Sequence, residues 1–180
     1  VGNVANHIPA KDLETWINVA DRIINHKKQI NFFFVQIGTF TKSTQSLLDR
    51  VKELNLTNHM VFLGYTPNAS NFIPQFDISL MTSQSEGVPQ FIYESMYHKV
   101  PVVSTNVGGI SEIIQHGVNG LLATMHNDIE LSELVFKLAE DSNLKGQFIN
   151  ESHKLLISKF TTSLMAQNTI KVYKDILYGN

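Results

Sequence analysis

The sequence predicts an α/β fold, one open, doubly wound parallel sheet of about six strands followed by helices at its C-terminal end. Three observations carry that expectation. Short β-rich runs alternate with stretches whose apolar residues recur at helical spacing. The runs Phe32-Phe33-Phe34-Val35 and Val100-Pro101-Val102-Val103 are continuously apolar, as strands buried on both faces are. After Ala123 the pattern becomes entirely helical.

Taken in order, Val1-Gly2-Asn3-Val4 reads as a strand already under way, so the chain is expected to be a piece of a longer protein. Leu13, Trp16, Ile17, Ala20 and Ile24 form a helical stripe that faces a core. A strand is expected over 31–37. A second stripe follows at Leu47, Leu48, Val51 and Leu54, then strands over 60–63 and 78–81. Pro89 suits the first turn of a helix, where its missing N–H costs nothing. Strands over 100–104 and 120–123 flank a short helical run over 110–115. Helices are expected over 128–140, 144–159 and 162–177, the last capped by Thr161 or Thr162.

Composition narrows the function classes. With 180 residues, 43% hydrophobic and 17% charged, the chain can bury a core and need not be disordered. A net charge of −2 offers no electrostatic footprint for nucleic acid, which is not expected as a partner. There are no cysteines, which removes disulfides and thiol catalysis and fits a reducing compartment. The seven histidines show no metal-ligand spacing, so no protein metal site is expected, and His7 and His116 read as exposed loop residues. No Walker A loop, nucleophile elbow or Gly-x-Gly-x-x-Gly is present, which counts against a P-loop NTPase, a serine hydrolase and a dehydrogenase.

In an open α/β sheet ligands bind beyond the carboxyl ends of the strands. The loops of interest are therefore 5–11, 38–42, 64–68, 82–89 and 105–110. In the fourth, Glu86 stands ahead of a helix start, Gly87 permits close approach of a ligand, and Glu94 follows on the helix. A carboxylate accepts two hydroxyl hydrogen bonds at once and suits a vicinal diol. Spacing alone equally allows Glu86 to be a charge stabilised by the helix dipole and Glu94 an exposed helix charge. Gly108-Gly109 is either an anion site at a helix start or a tight turn. Lys11 is either a point charge for a diphosphate or a surface lysine. Gly38 either lets a ligand approach or makes a turn.

Three ordered segments decide, by resemblance, for the functional readings of Glu86, Glu94 and Gly108-Gly109. Ser85-Glu86-Gly-Val-Pro-Gln-Phe-Ile-Tyr-Glu94-Ser-Met is similar to the Glu-x7-Glu motif of family 4 glycosyltransferases. Val100 to Glu112 and His116 to Leu122 are similar to the segments that come after it, and Val61-Phe-Leu-Gly64-Tyr65 to the strand and loop that meet the nucleotide base. Nearly the whole chain thus resembles the Rossmann-like C-terminal domain of a retaining enzyme of the glycosyltransferase-B fold.

The resemblance implies a nucleotide-sugar donor and no cofactor or metal. It places Glu86 at the donor sugar's hydroxyls, beside backbone from Gly87 through Val88 and Pro89 to Gln90. It places Glu94 at the ribose, backbone near Tyr65 and Thr66 at the base, and Lys11 at the diphosphate. Gly108 and Gly109 would share the diphosphate charge, and Gly38 would border the donor. One departure matters: an arginine usual near the end of the first strand corresponds here to Asn3, which cannot neutralise charge. Weaker donor affinity is therefore expected.

The acceptor-binding N-terminal domain of this fold is absent from the sequence, so the chain alone is expected to bind donor without catalysing transfer. The parent is expected to build polysaccharide, lipopolysaccharide or glycolipid in the cytoplasm. This leaves room for peripheral membrane association through the missing domain. A non-catalytic nucleotide- or sugar-binding module and a sugar-nucleotide epimerase of the same fold remain the alternatives.

Overall fold

The computed structural model describes residues 1–26, 30–87 and 89–179. Six strands form one sheet: β1 (Gly2–Val4), β2 (Phe34–Ile37), β3 (Met60–Phe62), β4 (Ser79–Met81), β5 (Val102–Thr105) and β6 (Leu121–Ala123). Their spatial order is β3-β2-β1-β4-β5-β6, and every pairing is parallel. The order reverses direction between β1 and β4, so these strands flank the topological switch point where such sheets open a crevice.

Helices α1 (Leu13–His26), α2 (Thr44–Glu53), α3 (Gln90–Tyr97), α4 (Ile110–Ile113) and α5 (Asp128–Glu140) follow β1, β2, β4, β5 and β6 in turn. Two more, α6 (Ser142–Lys159) and α7 (Thr162–Tyr178), close the chain. The Thr161 side chain accepts the Leu164 amide, so the expected cap is in place. Single 3-10 segments occupy Pro9–Lys11 and Ala69–Gln75.

The sheet is covered on both faces, as its apolar strands require. One core gathers the α1 stripe, β2, β4 and α5 around Trp16, which is fully buried and meets Phe34 edge-on at 5.4 Å between centroids. The other gathers Ile73, Phe91, Ile92, Met96 and Ile110 beneath α3 and α4. Among the described residues α7 buries nothing. It carries Ile170, Val172, Tyr173, Ile176 and Leu177 exposed. No helix of the described residues is long and apolar enough to cross a membrane.

The strands are shorter than their apolar runs. Expected from residue 31, β2 begins at Phe34, and Phe33 is half exposed. Apolarity reports burial, and the ladder needs a parallel neighbour, which only 34–37 finds in β1 and β3. Pro89 also stands one place earlier than expected. It precedes α3, and its carbonyl accepts the Ile92 amide.

Candidate functional site

A cavity of about 440 Å³ opens at the carboxyl ends of β1, β2 and β4. Its apolar floor is made by Val4, Ile37, Met81 and Phe91, and its walls come from the loops that follow the strands. Ala5, Asn6 and Lys11 follow β1; Gly38 and Thr39 follow β2; Tyr65 and Thr66 follow β3; Glu86, Pro89 and Gln90 follow β4. Loops 5–11, 38–42, 64–68 and 82–89 therefore meet as expected, whereas loop 105–110 does not reach the lining.

Lys11 and Glu86 join across the crevice. Lys11 Nζ donates to Glu86 Oε1 at 2.6 Å, with the carboxylate side chain 8% exposed and the lysine side chain 26%. They are the charged side chains among the described residues lining the cavity. Backbone contacts hold both in place. The Thr82 hydroxyl donates to the Lys11 and Asp12 carbonyls, and the Gln84 amide to the Ala10 carbonyl. On the other side the Gly109 amide donates to the Glu86 carbonyl at 3.2 Å. A Cβ on Gly108 would meet that carbonyl oxygen at 1.9 Å, and one on Gly109 the Gly87 oxygen at 2.7 Å. The two glycines thus act from beneath, setting the height of the Glu86 loop. With its amide already committed, Gly109 is no open anion donor.

Gly38 has the same kind of role on the β1–β2 side. A Cβ there would lie 1.8 Å from the Ala5 carbonyl oxygen, so only glycine lets these two strand ends approach. The Thr39 amide donates to Asn6 Oδ1 and the His7 amide to the Thr39 carbonyl, clasping the two loops.

Asn3 does not reach the cavity. It is 1% exposed, and its Nδ2 donates to the Leu80 carbonyl at 2.8 Å across the β1–β4 boundary. Successive strand residues face opposite ways, and it is Val4, the next residue, that lines the cavity. The expected substitute for an arginine is therefore a sheet tie.

Glu94 is half-buried on α3, one turn beyond Gln90, and is not part of the lining. Burial raises its carboxyl above the ordinary carboxylate value, partly offset by His98. Its carboxylate has no hydrogen bond or ion pair among the described residues. Gly87 is exposed beside the cavity, and Val88 lies outside the described residues.

His7, expected at the surface, is 1% exposed. It packs on Phe40 and Phe62, which drive it inward. Its Nε2 lies 2.6 Å from Gln36 Oε1 and its Nδ1 3.0 Å from Thr44 Oγ1. Gln36 Nε2 is committed to the Ala5 carbonyl at 2.6 Å, so the amide oxygen accepts and His7 Nε2 carries the proton. Burial lowers the His7 pKa below its ordinary value, against the Gln36 hydrogen bond, which raises it. His116 is exposed as expected. No group of three His, Asp or Glu among the described residues is arranged to hold a metal ion.

Sequence reasoning missed Asn6 and Thr39 as wall residues, and the His7–Gln36 tie behind them. Asn6 and Thr39 fall in loops already singled out, and their position was the available signal. The tie joins residues 29 apart in sequence, with no local motif.

Comparison with known proteins bears on this geometry. The family profile described as glycosyl transferases group 1 matches residues 1–155. The poly(ribitol-phosphate) alpha-N-acetylglucosaminyltransferase of Staphylococcus aureus is 23% identical over 97% of this chain and 35% of its own length. The Anabaena protein HepE, crystallised with UDP and glucose, superposes with a TM-score of 0.89. It is 21% identical over 97% of this chain and 47% of that one. The C-terminal domain of a group 1 family glycosyl transferase (LpcC) from Francisella tularensis superposes with a TM-score of 0.78. It is 23% identical over 89% of this chain and 86% of that one. The chain spans about a third to a half of the length of the first two.

Proposed function

The chain belongs to the glycosyl transferases group 1 family, and on that premise we propose that it is the half that binds a nucleoside-diphosphate sugar for retaining transfer to an acceptor hydroxyl. The observation that carries the reading is the Lys11–Glu86 pair at the switch point between β1 and β4. One ammonium suits a diphosphate and one carboxylate suits sugar hydroxyls, side by side where an open sheet takes its ligand.

In this reading Lys11 stabilises charge on the departing diphosphate, where the transition state most needs it. Glu86 positions the sugar through its hydroxyls. Glu94, whose carboxylate takes no hydrogen bond or ion pair among the described residues, takes the ribose diol from α3. Backbone at Tyr65 and Thr66 meets the base, and the exposed Tyr65 ring (74%) is free to cover it. Gly87, Pro89 and Gln90 border the sugar, and Gly38 and Gly108-Gly109 hold the strand-end loops at the right height. No metal is assigned a part. Names among the relatives, a polymer glycosyltransferase and a UDP-bound neighbour, support a nucleotide-sugar donor and an acceptor in polysaccharide synthesis. The acceptor surface and turnover are assigned to the other part of the parent, working in the cytoplasm or at the inner membrane face.

A thermal-shift screen with UDP-, GDP- and ADP-sugars tests the reading. A ligand at 100 times its Kd stabilises the native state by about 2.7 kcal/mol, roughly 5–10 °C for a domain of this size. One donor class is expected to give such a shift, unchanged by EDTA and abolished in Glu94→Ala. No shift from any of them removes the site assignment.

A further inference from the structure

We propose that the Lys11–Glu86 ion pair makes the site distinguish an intact sugar nucleotide from the nucleoside diphosphate left after transfer, and that re-forming the pair helps expel that product. The inference rests on the donor-binding reading above and concerns the fate of each charge when a ligand arrives.

Lys11 and Glu86 satisfy each other's charge at 2.6 Å. The pair is preformed. The Thr82 and Gln84 contacts fix the Lys11 turn, and Gly108 and Gly109 fix the Glu86 loop. Neither backbone can follow a partner that leaves. The two ends also differ in solvation. Lys11 keeps about a quarter of its side chain in water, whereas Glu86 keeps 8%. Among the described residues Lys11 is the only side chain that donates to the Glu86 carboxylate.

A diphosphate attracts the ammonium away from Glu86. The consequence for the carboxylate depends on the rest of the ligand. An intact sugar nucleotide brings hydroxyls that donate to the carboxylate, so each charge exchanges one partner for another. A nucleoside diphosphate brings only its ribose hydroxyls, which the donor-binding reading gives to Glu94 on α3, and none at Glu86. Glu86 is then a mostly buried carboxylate that has lost its cation, and removing one member of such a pair is strongly unfavourable. The same ligand atoms at Lys11 therefore bind with different net affinity according to whether a sugar is attached. Transfer of the sugar removes the hydroxyls and restores the drive to re-form the pair.

Calorimetry with matched ligands decides this: UDP-glucose against UDP, GDP-mannose against GDP, and ADP-glucose against ADP. The pair whose sugar nucleotide binds the chain is carried forward. The sugar nucleotide is expected to bind about tenfold or more tighter than its diphosphate, a difference well below that of a fully buried broken ion pair. Glu86→Gln leaves a neutral amide in place of the orphaned charge. The diphosphate is then expected to bind about tenfold tighter than it does to the unaltered chain, bringing the two ligands within about threefold of each other.

Equal affinities in the unaltered chain, or a Glu86→Gln diphosphate affinity that stays the same or falls, overturn the inference while leaving the donor site standing. Binding of none of the six ligands removes the donor site itself. Should Glu86→Gln fail to fold, Lys11→Arg decides. A guanidinium has donors enough to hold carboxylate and phosphate together, so the preference for the sugar form is expected to shrink. An unchanged preference in Lys11→Arg overturns the inference.

Discussion

Gly108, at φ +51°, lies so close under Glu86 that a Cβ on it would sit 1.9 Å from the Glu86 carbonyl oxygen. Both the dihedral and the space exclude any other residue without movement of the 86–87 loop. Gly108→Ala is therefore expected to destabilise the fold by about 2–3 kcal/mol, combining overpacking with a disfavoured backbone conformation. It should also lift Glu86 away from Lys11 and weaken nucleotide binding. Gly87, in the same loop as Glu86, is the control. A Cβ there meets no described atom within 4 Å, so Gly87→Ala should change stability by less than about 0.5 kcal/mol. Urea denaturation of both variants checks the pair of expectations, and equal midpoints would contradict them.

That relationship shows where reading a sequence stops. The alternation of strands and helices was legible because burial on both faces writes itself as apolar runs and stripes, and Trp16, Ile17 and Ala20 lie where their spacing put them. The end of the sheet that carries the site was legible from the strand-end rule, which singles out Lys11, Gly38, Tyr65 and Glu86. The Gly108-Gly109 pair was legible as a feature but not as a role. A glycine pair looks the same whether it leaves amides open to a ligand or makes room for a neighbouring carbonyl, and that neighbour comes from a loop more than 20 residues earlier. Asn3 was misplaced because alignment with an arginine says nothing of which way a strand residue faces. His7 was misplaced because its burial depends on Phe40, Phe62 and Gln36, none of them near it in sequence.

The unequal burial of the Lys11–Glu86 pair sets a second expectation. Lys11→Met leaves a carboxylate only 8% exposed without its cation. Glu86→Gln leaves an ammonium that already reaches water and still has an amide oxygen to donate to. Lys11→Met should cost about 1–3 kcal/mol, less than a fully buried pair because the lysine end is solvated, and Glu86→Gln about 1 kcal/mol or less. Thermal unfolding at neutral pH should rank them in that order. The reverse order would mean that the pair is held by the lysine's packing and not by the carboxylate's need for a partner.

Glu94 links stability to binding with opposite signs. Burial raises its pKa above the ordinary carboxylate value, so the folded chain holds the charged form at a disadvantage. The folded pKa lies above the unfolded one. The associated stability is therefore fully present below the unfolded value near 4.5 and is lost as pH rises through the folded pKa. Glu94→Gln should raise the melting temperature at pH 7, and the gain should vanish by about pH 4. The same variant should weaken nucleotide binding by about tenfold or more, since hydrogen bonds to a charged acceptor contribute about 1.5–3 kcal/mol each. Melting curves at the two pH values together with nucleotide titrations check both halves. A variant that is less stable at pH 7 would show that the carboxylate is structural.

His7 carries the pH dependence of the loops that wall the cavity. Burial against Phe40 and Phe62 lowers its pKa below 6.5, and the network demands a neutral ring with the proton on Nε2. Above pH 6.5 the ring is neutral in both folded and unfolded chains, so it adds no slope. Below 6.5 the unfolded chain takes up the proton first, and stability falls until the folded pKa is passed. His7→Asn removes that titration. At about pH 7.5 the variant should be less stable by about 1–3 kcal/mol, because Gln36 Oε1 loses a donor and the aromatic neighbours lose a ring. Between about pH 7 and 5.5 its melting temperature should fall less than that of the unaltered chain, so the two curves converge. Parallel curves would place the acid sensitivity elsewhere. Because Gln36 also holds the Ala5 carbonyl at the cavity wall, nucleotide affinity in the unaltered chain should hold while the folded ring stays neutral and decline only as pH falls through its lowered pKa, and that lower decline should be absent in His7→Asn.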